Sequence, residues 1–374
     1  MLSGRELISF RKQLLDWYRQ FQRDLPWRKT LDPYGIWISE IMLQQSRVAA
    51  VIPYYGRFVQ RFPDVRALAK ASQEGVLRVW SGLGYYSRAR NLQKTAQQIV
   101  SKHGGRFPET EKDALALPGI GQYTAAAILS IAFDAKLAVL DGNVARVLAR
   151  LGAIRGDLRE SEKWQGLRAT AEKYLDKKSP GEWNQAMMEL GAMVCTPRSP
   201  QCLLCPVARF CQARKLGDPE SFPEKRKKPT AVKITLATAI LSDANRRVLL
   251  LPPPRRTQKK PAADDVATLV SGMWHFPTVS IRQNPATELA SYISQLLHSD
   301  NGLQELEPLA KVRHTVTYRK IEVVPFRIVL GKIPRLGGAK RILLNDLAAL
   351  PVSNLTRKIA LAAMRAVPNA SNEH

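Results

Sequence analysis

Four cysteines fall within seventeen residues, Cys195, Cys202, Cys205 and Cys211, and the rest of the 374-residue sequence has none. Their spacing is C-x6-C-x2-C-x5-C. With no thiol left over, the set reads as one four-thiolate site around which the local chain must wrap. Disulfides suit small secreted scaffolds and fit poorly here. Zinc usually takes two C-x2-C pairs separated by a longer loop, and here Cys202 and Cys205 alone form such a pair. Four sequential thiolates around one compact object suit a cubane [4Fe-4S] cluster better. Prolines 197, 200 and 206 keep the loop from becoming helix. Arg198, Arg209 and Arg214 make it basic.

The formal net charge is +25. An excess of that size points to a polyanion, nucleic acid before anionic membrane. No segment reaches the roughly 18 apolar residues that span a bilayer. The first twenty-one residues mix charge into an apolar periodicity and read as an amphipathic helix, not a signal peptide. The expected setting is cytoplasmic and reducing, with association to the nucleoid and no membrane partner.

Residues 1–212 read as almost entirely helical, with apolar positions recurring at three and four, as in Leu7, Phe10, Leu14, Trp17 and Phe21. Residues 213–231 carry a charge run and three prolines and read as a linker. Beyond it, Val232–Ser242 alternates at period two, with Val232, Ile234, Leu236 and Ile240 on one side. Arg247–Leu251 follows as a second strand, and 252–265 reads as a mobile loop. Met273–Val279 is expected to be a strand, 286–297 a helix, 309–330 two strands and Leu355–Ala366 a last helix. The expected architecture is an all-α domain over 1–212 and an α+β domain over 232–368, with a tail at 369–374.

Leu117-Pro118-Gly119-Ile120-Gly121 separates two helical stretches, 111–116 and 122–132. Gly119 and Gly121 permit close backbone approach, and the helix that follows offers free N–H groups to an anion. This is the hairpin of helix–hairpin–helix DNA-binding proteins, although a glycine helix cap gives the same letters.

Two acids stand in apolar surroundings. Glu40 is the one charged residue between Asp32 and Arg47. Buried, it would hold its proton and act as a general acid; the alternatives are a solvent-facing glutamate or one paired with Arg28. Asp141 precedes a helix at Val144–Leu151, so it is either an N-cap or an ionised carboxylate facing developing positive charge. Two carboxyls in opposed protonation states are what cleavage of a glycosidic bond needs.

The runs LPWR (25–28), SEIMLQQ (39–45), GLGYYSRARNL (82–92), LPGIG (117–121), LDGNV (140–144) and the cysteine set resemble the helix–hairpin–helix DNA glycosylase superfamily. Within it they are most similar to the A/G-specific adenine DNA glycosylase (MutY) family. The likeness covers nearly all of 1–212. It implies that Glu40 protonates N7 of a flipped adenine, that Asp141 stabilises the oxocarbenium ion or captures it briefly before water does, that Asn143 orients Asp141, and that Tyr123 helps hold the sugar and the transition state. Arg28 and Glu189 would line the adenine pocket. Gln45 and Tyr85 would enter the duplex, although Tyr85 could equally be a packing aromatic. Ser46 stands where the family usually has threonine and keeps the hydroxyl. Where the related lyases carry lysine, this chain has Tyr123, which cannot form a Schiff base. The expected reaction is therefore base removal with little strand cleavage. A lyase on oxidised pyrimidines and a non-catalytic, cluster-bearing DNA-binding protein are the competing readings.

The run Gly272–Pro277 resembles the strand that enters the hydrolase helix of MutT-like (Nudix) proteins, but the glutamate-rich box that would hold Mg2+ is absent. The resemblance implies a binding domain that reads 8-oxoguanine opposite adenine. The family's Phe-Ser-His is replaced by Val316, Thr317 and Tyr318, which keeps a hydroxyl and a flat ring and loses an aromatic wedge. The expected partner is duplex DNA holding A:8-oxoG or A:G mispairs, bound by a monomer, with a sliding clamp or a mismatch-repair protein as a further partner.

Overall fold

The computed structural model describes residues 2–224, 230–254, 266–270, 272–298 and 305–366. Capping chemistry starts many of its helices. Ser3 accepts from the Glu6 N–H while the Glu6 carboxylate accepts from Ser3 N, at 2.8 Å, and this reciprocal box opens α1 (Gly4–Phe21). Asp32 caps α2 (Pro33–Leu43), whose first residue is a proline with no N–H to leave unsatisfied. There follow α3 (Val48–Arg61), α4 (Val65–Lys70), α5 (Gln73–Trp80), α6 (Ser87–His103), α7 (Glu111–Leu115), α8 (Gln122–Phe133), α9 (Gly142–Leu151), α10 (Ser161–Tyr174), α11 (Pro180–Met193) and α12 (Gln212–Lys215).

Backbone contacts divide the chain into two units. One comprises Met1–Ala71 with Arg90–Lys227, the other Ser72–Ala89 with Lys228–His374. The sequence reading kept 72–89 within the helical domain; the structure assigns α5 and the first residues of α6 to the second unit. It also carries the first unit past the expected boundary at 212. Ala213 is fully buried, Phe222 is 2% exposed, and the Phe222 carbonyl accepts from Arg150 Nε at 2.9 Å. Apolar side chains in an otherwise charged stretch are what tie it down. Residues 225–229 of the expected linker, 255–265 of the expected loop and the tail at 369–374 lie outside the described residues. The core of the first unit joins α1, α8, α9 and α11. Phe10 sits at its centre, its ring edge-on to Trp183 and Phe210, both at 5.6 Å.

The second unit continues with β1 (Val232–Ser242), β2 (Arg247–Leu250), α13 (Val266–Leu269), β3 (Thr278–Ser280), α14 (Pro285–Leu297), β4 (Glu307–Pro308), β5 (Val312–Val316), β6 (Arg319–Val329), β7 (Lys340–Leu343) and α15 (Asn354–Arg365). The sheet runs β4-β6-β1-β2-β7, with β3 also on β1 and β5 also on β6. Its spine is the parallel pair β1 and β6, in register from Val232 opposite Arg319 to Ser242 opposite Val329. The period of two explains the layers. Ile234, Leu236 and Ile240 face a core shared with α15, while Ala237, Ala239 and Leu241 face one shared with α14. The expected strand at 273–279 is shorter than expected. Trp274 and His275 make isolated bridges, and regular pairing begins at Thr278, after Pro277, which has no N–H to give the ladder. No helix is long and apolar enough to cross a membrane among the described residues.

Candidate active site

Helix α2 is apolar around its whole circumference, and Tyr34–Met42 are all buried. A helix of that composition belongs in an interior, and it carries Glu40 inside with it, 5% exposed. Tyr123, in the first turn of α8, meets this carboxyl: its hydroxyl donates to Glu40 Oε2 at 2.6 Å and lies 3.1 Å from Met188 Sδ. Burial pushes the Glu40 carboxyl up to about 7. The Tyr123 hydrogen bond and the Arg28 charge pull it down, and the Asp141 charge pushes it further up. Burial, with the Glu40 and Asp141 charges beside it, holds the Tyr123 hydroxyl well above the usual phenol range, so it stays a donor.

Asp141 is both an N-cap and a wall of the same site. Its Oδ1 accepts from Val144 N at 2.7 Å, and its Oδ2 accepts from Asn143 Nδ2 at 3.1 Å. Arg146 Nη2 in turn donates to Asn143 Oδ1 at 2.9 Å and to the Gly191 carbonyl at 2.8 Å. Gly191 makes that approach of α11 to α9 possible, since a β-carbon there would lie 2.8 Å from Asn143 Cβ. Burial pushes the Asp141 carboxyl up, but the Val144 and Asn143 N–H groups and the Arg146 charge favour its ionised form. The two carboxyls are thus treated differently by their surroundings. Glu40 has one hydroxyl bonded to it and the Arg28 charge nearby to support its ionised form; Asp141 has a helix terminus, an amide and a guanidinium.

Arg28, offered by the sequence as a partner for Glu40, is paired with Glu189 instead, through Nη2 to Oε2 at 2.9 Å. Arg23, which sequence reasoning missed, grips the same carboxylate with Nε at 2.8 Å and Nη2 at 2.5 Å. Burial alone would raise the Glu189 carboxyl, yet the two guanidiniums hold it down at about 2.

Glu40, Tyr123, Asp141, Asn143, Arg28, Glu189, Gln45 and Ser46 line one cavity of about 680 Å³. Gln45 is exposed at its rim with a left-handed φ of 56°. Beside it, Gln44 Nε2 donates to Thr124 Oγ1 at 3.3 Å. The 117–121 hairpin does not line the cavity but sets the start of α8. Leu117 and Ile120 are buried, and the Pro118 carbonyl accepts from Thr95 Oγ1 at 2.6 Å. Gly119 has φ 79° and packs so tightly on Asn91 that a β-carbon would lie 2.8 Å from Nδ2. Gly121 caps α8 without any side chain, leaving the first-turn N–H groups to an external acceptor.

The four cysteines are free and partly buried. Burial pushes the Cys202, Cys205 and Cys211 thiols up, Cys205 to about 12, and each also feels the charge of neighbouring thiols in the set. Among the described residues no group of three or more His, Cys, Asp or Glu is placed to hold a single metal ion. A cubane is a larger object, with one thiolate at each of its iron corners, and the four thiols of this one loop match that donor set in number and kind. The buried Arg150 faces them: Nη1 lies 3.3 Å from Cys195 Sγ and donates to the Thr196 carbonyl at 2.7 Å, and the Arg150 carbonyl accepts from Cys211 Sγ at 3.4 Å. Arg146 Nε holds the Cys195 carbonyl at 2.9 Å. The signal for Arg146 and Arg150 is their spacing of four on α9, which puts both on one face.

Three residues singled out in the sequence belong to the second unit. Tyr85 is 42% exposed, at φ 48°. Thr317 and Tyr318 form the two-residue turn between β5 and β6, where Val316 pairs with Arg319. Thr317 is exposed at φ 54°, in a region that branched side chains avoid, and its hydroxyl donates to the Val316 carbonyl at 2.7 Å. Tyr318 is 42% exposed, with the Arg319 guanidinium 5.7 Å from its ring centre.

Residues 38–172 match the HhH-GPD superfamily of base excision DNA repair proteins, and residues 195–211 match the iron–sulfur binding domain of endonuclease III. The chain is 35% identical over 402 aligned positions to the adenine DNA glycosylase of Rattus norvegicus, covering 95% of this chain and 78% of that protein. Against the adenine DNA glycosylase of Homo sapiens it is 47% identical over 226 positions, 58% of this chain and 41% of that one. Among solved structures, a thermostable thymine-DNA glycosylase superposes with a TM-score of 0.52 at 29% identity, covering 57% of this chain and 98% of that one.

Proposed function

The chain belongs to the adenine DNA glycosylases, carries a [4Fe-4S] cluster on its four cysteines, and we propose that it hydrolyses the N-glycosidic bond of an adenine mispaired with 8-oxoguanine or guanine in duplex DNA. The observation that carries the mechanism is the buried Glu40, its carboxyl raised to about 7, on one cavity with the Asp141 carboxylate.

A flipped adenine enters the cavity at a cost of a few kcal/mol for unstacking. Tyr123 donates to Glu40 Oε2, which leaves Oε1 to carry the carboxyl proton. That proton passes to N7 of the adenine, the C1′–N9 bond breaks, and its electron pair leaves with the base. The sugar is then an oxocarbenium ion, and the ionised Asp141, fixed by Asn143 and the start of α9, stands against its positive charge. Water adds at C1′, and the proton it sheds restores Glu40. Tyr123 supplies no amine, so no Schiff base forms with the sugar and the DNA strand is left intact. Arg28 and Arg23 hold Glu189 as a fixed acceptor on the pocket wall for the exocyclic amine of adenine. Gln45 and Tyr85 fill the duplex where the base was. The Val316–Tyr318 turn, with the Thr317 hydroxyl at its tip, reads the opposite base. The cluster supplies no step in this chemistry; its thiolates fix the basic loop at 195–211 against the phosphates.

The full chain incubated with a duplex holding one A:8-oxoG pair should release adenine and leave an alkali-labile site at that position. Glu40→Gln should abolish release while binding persists. Absence of adenine release by the wild-type protein with its cluster intact would overturn the assignment. A stable adduct on borohydride treatment would overturn the water-dependent route.

A further inference from the structure

The loop joining α5 to α6 lies far in sequence from α15, yet both belong to the second unit. Asn354 Nδ2 donates to the Gly82 carbonyl at 3.0 Å, and Arg357 Nη2 donates to Ser81 Oγ at 2.9 Å. Ser81 Oγ donates to the Val352 carbonyl at 2.9 Å, and the Tyr86 hydroxyl reaches the same carbonyl at 3.4 Å. From the other side the Gly84 carbonyl accepts from Trp80 Nε1 at 3.0 Å and from Arg88 Nη2 at 3.2 Å. The Arg88 guanidinium lies 5.3 Å from the ring centres of both Trp80 and Tyr85.

What this scaffold holds is a backbone that would not hold itself. Gly82, Gly84 and Tyr85 have φ of 107°, 80° and 48°. Two are glycines, for which the cost is small. Tyr85 is not, and a left-handed non-glycine persists where its surroundings over-determine it. That conformation leaves the ring 42% exposed while the next tyrosine, Tyr86, is buried. Ser81 and Gly82 are bonded to Arg357 and Asn354 in the first turn of α15, and Tyr86, beyond the strained residues, to the Val352 carbonyl just before that helix.

We propose that Asn354 and Arg357, at the start of α15, are positioning residues for Tyr85. They fix the loop that presents this ring to DNA, so the unit carrying the Val316–Tyr318 turn also sets the wedge. The inference rests on the reading that Tyr85 enters the duplex. It makes the choice between 8-oxoguanine and guanine depend on residues remote in sequence from the turn and from the catalytic cavity.

A mutant cycle in the full chain tests it. Single-turnover adenine release is measured from A:8-oxoG and A:G duplexes for wild type, Asn354→Ala, Arg357→Ala and Tyr85→Ala, and for each pairing with Tyr85→Ala. Arg357→Ala should slow A:8-oxoG about tenfold, the worth of one charge-assisted hydrogen bond, and Asn354→Ala, whose bond is neutral and exposed, about fivefold; both should narrow the preference over A:G. In the Tyr85→Ala background the same changes should cost about twofold or less, because residues acting through one group are not additive. Arg357→Lys should recover most of the rate. Asn354 is exposed, so its variant tests the contact without emptying a core. Equal losses in both backgrounds, or no loss in either single variant, would overturn the inference while leaving the glycosylase assignment standing. No adenine release by the wild type from either duplex would instead overturn the assignment on which it rests.

Discussion

Glu40 and Tyr123 form a coupled pair whose behaviour with pH can be worked out from their positions. The native Glu40 carboxyl is raised to about 7 from an ordinary value of 4.5. Between those pH values the folded protein holds a proton that the unfolded chain has released, so this group makes stability fall as pH rises through that window. Glu40→Gln removes the dependence. The variant should gain on wild type by about 3 kcal/mol at most between pH 4 and pH 8, read by denaturant unfolding at both pH values, and an unchanged difference would mean that Glu40 is ionised in the native site. The Tyr123 hydrogen bond favours the carboxylate, so Tyr123→Phe should raise the Glu40 carboxyl further. The alkaline limb of the excision rate against pH should then move upward even as the maximum rate falls; a downward move would show that Tyr123 supports the proton, not the charge. Glu40 is legible in the sequence because no other residue on its helix is charged and most are apolar. Arg23 is not, because a charged residue just past a helix end reads as solvated, and its partner lies 166 positions away.

At the scale of elements, α9 does two jobs with one side chain, and its N-cap separates them. Asn is as good an N-cap as Asp, so Asp141→Asn should keep the hydrogen bond to Val144 N and the melting temperature. It loses the charge proposed to face the oxocarbenium ion and should fall by two or more orders of magnitude in single-turnover rate. Asp141→Ala should lose the same activity and a further ~1 kcal/mol of stability. Equal melting temperatures for the two variants would show that the cap contributes nothing. The sequence announced this element because Leu-Asp-Gly-Asn precedes an apolar periodicity, and it announced β1 through its strict alternation. It was silent on β4 and β7, of two and four residues. So short a run shows no period; such strands are defined by the neighbours they pair with, β7 by its register on β2.

For the whole molecule, the division into units is the feature least readable from the chain. The run 72–89 has the turn residues and helical periodicity of its surroundings, and nothing local marks its packing with α15, whose residues come more than 260 positions later. Charge, by contrast, is a property of the entire chain and was legible at once. A protein of net charge +25 that grips a duplex should release counterions from several phosphates, so its affinity for an undamaged duplex should fall by at least about tenfold between 50 and 200 mM salt. Single-turnover excision at saturating protein should change little, because the cavity chemistry is shielded from the ionic atmosphere. Arg198, exposed in the cluster loop, provides a local check on the same quantity. If that loop rests on the backbone, Arg198→Ala should reduce the slope of log affinity against log salt by about one and weaken all sequences alike. An unchanged slope would move the loop off the phosphates and leave the cluster a purely structural part of the first unit.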